Sequence, residues 1–163
     1  MNATAWLNRI VKLASMAAAI ALVTMMLTTV ADVAMAVLFN RPILGAYDMV
    51  ETTLVFSVFL GLPAVFLHSG NIVVDVVDFF VSPATVRRLK RLALIATLGF
   101  LILLFWNMLA SAVDAYRFGE KKQELGLPLW ILWLPMLLGI LLSAVAVLLS
   151  LFRGVDAVLP GTR

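Results

Sequence analysis

Apolar residues fill four long stretches of this sequence: Leu13 to Ala31, Thr52 to Leu67, Leu92 to Val113 and Leu125 to Phe152. Ionisable side chains are confined to the segments between and beyond them. A helix needs about 20 apolar residues to cross the hydrocarbon of a bilayer, at a rise of about 1.5 Å per residue. The pattern therefore predicts an all-α membrane protein with four spanning helices, at about 11–38, 48–69, 91–114 and 128–152. These take up most of the chain, so residues 1–163 form a single four-helix transmembrane domain with no room for a soluble one.

A second pattern interrupts the first. From Asn71 to Val81, Asp75, Asp78 and Ser82 recur at spacings of three and four, while Ile72, Val73, Val76, Phe79 and Phe80 line another face. This predicts a short amphipathic interfacial helix at about 71–81, between the second and third spans. Its two aspartates would repel anionic lipid, so the expected contact is with protein, and Asn71, Asp75 and Asp78 become candidate structural or subunit-interface residues. Ser82-Pro83 then supplies a cap and a first helical position for the third helix.

Charge gives the orientation. With a cytoplasmic N-terminus the inner side carries Arg9, Lys12, Arg87, Arg88, Lys90, Arg91, Arg153 and Arg163, eight cations against Arg41, Arg117, Lys121 and Lys122 outside. Both termini are then cytoplasmic, and Arg87, Arg88, Lys90 and Arg91 are the main topology anchors. The first span follows Arg9 and Lys12, and Ala34-Met35-Ala36 has the form of a cleavage site. The run is too long for the core of a signal peptide and Asp32 precedes the site, so the span is expected to stay attached.

Composition narrows the chemistry. The chain is 64% hydrophobic and 13% charged, against roughly 25% charged in soluble domains. It has no cysteine, which removes disulfides and thiolate chemistry. His68 is the sole histidine and falls at the inner end of the second span, as an interfacial residue. No constellation of nucleophile, base and metal ligands occurs at workable spacing, so the expectation is a non-enzyme without cofactor or metal in this chain. The net charge of +3 sits at helix ends and does not point to nucleic acid.

Individual positions carry further expectations. Asp32 lies six residues before Leu38, roughly 9 Å below the outer interface, and should take a structural hydrogen bond or ion pair. Asn40-Arg41-Pro42 ends the first helix. Asp48 and Glu51 share one face of the first turns of the second helix, where Asp48 complements the helix dipole and Glu51 is expected to pair with an arginine of this chain, such as Arg41, or of a partner. Ala14 with Ala18, Ala17 with Ala21, and Gly139 with Ser143 have the spacing of close helix contacts, and Gly99 is a further candidate. Pro63 and Pro135 predict kinks, Trp106 a packed position, and Gly119 to Pro128 a polar, solvated loop.

Several of these features together resemble one family. Asp32-Val33 leading to Phe39-Asn40-Arg41-Pro42, then Glu51, Gly61 and Gly70-Asn71-Ile72-Val73-Val74-Asp75, are similar to the DctQ-type small membrane subunit of tripartite ATP-independent periplasmic (TRAP) transporters. So are Gly126, Leu127-Pro128-Leu129-Trp130, and Pro135 with Gly139. Asn71 stands where that family usually has a histidine, and Ala36 where it often has an arginine. The resemblance implies a scaffold in the bacterial or archaeal cytoplasmic membrane, surrounded by lipid and paired with a large membrane subunit that holds the sodium and substrate sites. A periplasmic solute-binding protein would deliver an organic acid or similar solute, without use of ATP. The competing reading is a small proton-coupled exporter, self-contained as a dimer, with Glu51 or Asp32 as the coupling carboxylate.

Overall fold

Four helices form where the apolar stretches lie. The computed structural model describes residues 2–67 and 83–153, which contain α1 (Asn2–Phe39), α2 (Ala46–Leu67), α3 (Pro83–Arg117) and α4 (Trp130–Arg153). Each includes a stretch long and apolar enough to cross a membrane. The interfacial segment expected at 71–81, with Asn71, Asp75 and Asp78, lies outside the described residues, as does His68. The short connections at 40–45 and 118–129 gather at one end of the helices, called here the turn end.

The turns follow from local chemistry. Asn40 ends α1 with a left-handed φ of 52°, a conformation open to asparagine more than to other side chains, and Pro42 cannot continue a helix. The Arg41 N–H donates back to the Met35 carbonyl at 3.4 Å. At the end of α3, Gly119 has φ 61°; its N–H donates to Tyr116 O (3.3 Å) and that of Glu120 to Ala115 O (3.2 Å). This pair of bonds satisfies carbonyls that the last helical turn leaves open, and the positive φ is why glycine stands there.

Packing is a matter of small residues, because lipid is as apolar as the side chains and does not drive helices together. On α1 the buried positions are Leu7, Val11, Ala14, Ala18 and Ala21, a spacing of four and three that gives one seam along the helix. Ala18 of this seam faces Gly61 of α2. Ala17 is exposed, so only the Ala14 and Ala18 pair serves as expected. Between α2 and α4 the approach is closest at Gly139, where a Cβ would fall within 3.0 Å of the Phe59 backbone. Ser143, one turn on, is fully buried and donates to Gly139 O at 2.8 Å. Leu101 of α3 meets Ile140 and Val147 of α4 in a small apolar core, joined by Phe59, Leu98, Phe105 and Met108.

These contacts arrange the helices as an open row, α1 on α2, α2 on α4 and α4 on α3. A closed bundle would bring the two outside helices together. Among the described residues α1 and α3 each have one substantial neighbour. α2 continues through Pro63 and α4 through Pro135, each as one unbroken helix. Two expectations on α3 fail for the same reason: Gly99 has nothing within 4 Å, and Trp106 is 75% exposed, because their side of α3 has no neighbour among the described residues.

A clasp at the turn end as candidate functional site

Asp48 is the third residue of α2, and its carboxylate faces the protein, only 4% exposed. Oδ2 accepts two backbone N–H groups, from Glu124 and Leu125, each at 3.0 Å. Successive amides converging on one carboxylate oxygen make a charge-assisted contact stronger than a neutral hydrogen bond. The position also complements the positive end of the α2 dipole, as the sequence predicts, yet the main partner is the α3–α4 connection.

That connection is folded. Lys122 N–H donates to Leu127 O (2.8 Å), Leu129 N–H to Glu120 O (2.8 Å) and Gly126 N–H to Lys122 O (3.1 Å). Lys121 and Pro128 form an isolated antiparallel bridge. The small hairpin lies against α2, so the solvated loop expected from its polarity is partly buried. Lys122 is its deepest member, with a side chain 5% exposed.

Lys122 forms an ion pair with Glu51, whose side chain remains 47% exposed. The cation opposite Glu51 is therefore a lysine from the α3–α4 hairpin and not Arg41, which is exposed. The reason is geometric: Arg41 follows the end of α1, whereas Lys122 is carried onto α2 by the two bonds that Asp48 makes. Glu124 returns the contact, its Oε2 accepting the Gly45 N–H at 2.9 Å. Gly45 has φ 82°, and any Cβ there would collide with Leu125, so this contact also requires glycine.

Asp32 stands beside this clasp. It is half-buried, and Oδ1 accepts the Ile43 N–H at 2.7 Å, a hydrogen bond that ties the turn to α1. Among the candidate residues, the structure thus brings Asp48 and Glu51 together with Lys122, Glu124 and Gly45, and places Asp32 on the adjoining turn. At the opposite end Arg88 and Arg91 are exposed and Lys90 is half-buried, with Arg87 on the same helical run of α3.

Chemically the clasp locks backbone to side chain. One oxygen of each of its carboxylates is engaged: Asp48 Oδ2 by two amides, Glu51 Oε2 by Lys122 and Glu124 Oε2 by the Gly45 amide. Among the described residues no three acidic or histidine side chains gather as a metal site requires. Lys122 and Glu124 were not legible as partners of α2 and Gly45, since they reach them from more than 70 positions along the chain. Gly119, Gly126 and Pro128 were the available signal, because closely spaced turn residues mark a shaped connection.

Comparison with known proteins completes the picture. Curated proteins and solved structures give no match. Residues 25–157 match the family model described as tripartite ATP-independent periplasmic transporters, DctQ component. That range runs from the middle of α1 past the end of α4 and takes in both turns and the whole clasp. The chain, a multi-pass membrane protein by its four apolar helices, belongs to the DctQ family, the small membrane subunits of TRAP transporters.

Proposed function

We propose that this chain is the stationary scaffold of a TRAP transporter, pairing with a large membrane subunit that holds the sodium and substrate sites. A periplasmic solute-binding protein brings an organic acid or similar solute to the assembly, and the sodium gradient drives uptake. The turn end faces the periplasm and both termini face the cytoplasm, in the cytoplasmic membrane, by the distribution of cations.

The observation that carries this reading is the placement of charge. Between Arg91 and Asp114, and from Leu125 to Phe152, the spans contain no ionisable side chain. At the turn end Asp48 is tied to two amides and Glu51 to Lys122. A carrier acting alone places polar groups around a midplane site, often at broken helices. A brace needs the opposite, rigid ends and an inert middle. The ion pair of Glu51 also counts against its use as the coupling carboxylate of a small exporter.

The test is purification of the tagged chain from its native membrane in gentle detergent, with mass spectrometry of the bound proteins and reconstitution. A large polytopic membrane protein in near-equal amount, and uptake only when both subunits are present, is the expected result. Transport by the chain alone would refute the reading.

A further inference from the structure

The free side of α3 carries an amide at membrane depth that is only partly satisfied. Asn107 lies seven residues, about 10 Å of helix, before Asp114, which is in the last turn of α3. It is exposed, and its Nδ2 donates to Leu103 O at 2.8 Å. The second amide hydrogen and Oδ1 meet nothing among the described residues. Threonines on α1 differ, since half-buried Thr24 and exposed Thr29 each place their one hydroxyl hydrogen on their own helix, at 2.9 Å. An amide has a donor and an acceptor left over, and lipid tails offer it no partner.

The surroundings of Asn107 suit a helix. Leu103, Ala110, Ser111 and Asp114 share its side of α3, at spacings of three and four, and all are exposed. Beside them Trp106, Leu109, Ala110, Val113 and Asp114 line a groove. The small residue Ala110 lies between the two, where a neighbouring backbone can come close. The opposite side of α3, at Leu98, Leu101, Phe105 and Met108, is already packed on α4.

We propose that this side of α3 docks a transmembrane helix of the large subunit, one that presents a hydroxyl or amide level with Asn107 and a lysine or arginine level with Asp114. The proposal rests on the scaffold reading above. Asp114 decides against a second copy of this chain: two copies related by an axis along the membrane normal would place Asp114 against Asp114 at the same depth. A cation on a different chain turns the same carboxylate into an attractive contact.

The experiment compares the full complex with variants in native membranes. Asn107→Leu should lower recovery of the large subunit roughly threefold to twentyfold, Asn107→Gln should retain it, and Asp114→Lys should lower it further. A benzophenone side chain at Ala110 should cross-link to the large subunit, and one at exposed Ala17 of α1 should not. If the unaltered chain retains the large subunit while Asn107→Leu and Asp114→Lys do so equally well, or Ala110 cross-links to lipid or to a second copy, the docking site is wrong and the scaffold reading stands. If the unaltered chain brings down no large subunit, both fail. Unchanged thermal unfolding of Asn107→Leu separates lost docking from lost folding.

Discussion

Asp48 and Leu125 are 77 positions apart and are joined by a 3.0 Å hydrogen bond from the Leu125 amide to a carboxylate that is almost wholly buried. With the matching bond from Glu124, this contact holds the α3–α4 hairpin on the first turn of α2. Asp48→Ala leaves two amides without their acceptor, at about 1–3 kcal/mol each. The Lys121–Lys122 pair then becomes open to trypsin. Tryptic cleavage after these lysines should be at least tenfold faster in the variant; equal rates would show that the hairpin stands without Asp48.

The ion pair should respond unequally to loss of its two members. Glu51→Gln leaves a cation whose side chain is 5% exposed without its partner, while Lys122→Met leaves a carboxylate that is 47% exposed and still hydrated. The first should cost about 2–4 kcal/mol and the second about 0–1 kcal/mol. The double variant should recover most of the Glu51→Gln loss. Titration of the folded state with a denaturing detergent, followed by tryptophan fluorescence, provides the three values.

Charge reversal separates a contact within the chain from one with a partner. Glu51→Lys places two cations together and should weaken assembly with the large subunit. Lys122→Glu added to it restores an ion pair of opposite sense. Recovery of co-purification in the double variant assigns Glu51 to the clasp, and persistent loss assigns it to a contact with the partner.

The two glycines at membrane depth in α3 and α4 should differ sharply. Gly139→Ala drives a methyl group into the Phe59 backbone, where α2 and α4 must separate, and should cost roughly 1–3 kcal/mol. Gly99→Ala meets open space and should be neutral or slightly stabilising. Thermal unfolding of the two purified variants, side by side, gives the comparison.

The helices were legible because lipid imposes one rule on every residue of a span, and an apolar run of the right length satisfies it. The clasp was only half legible. Asp48 and Glu51 could be placed on one face of one helix from their spacing, but the choice between Lys122 and Arg41 depends on which turn folds over α2. Helix order was hidden for a similar reason. Gly139 and Ser143 signal a close neighbour without naming it, and only the structure identifies Phe59 on α2. On α3, Trp106 and Gly99 read as packed positions because a span in a closed bundle would have neighbours on every side.

The order of the row also constrains how the chain is built. α1 and α2 are adjacent in sequence and in space and can pair as soon as both have entered the bilayer. α3 comes next and finds no lasting neighbour until α4 follows it. Among the described residues the substantial non-sequential contact is α2 with α4, and the hairpin that joins α3 to α4 is the segment Asp48 holds on α2. The hairpin held by Asp48 sets the start of α4 beside the start of α2, so a single carboxylate at the turn end helps fix the register in which Gly139 meets Phe59.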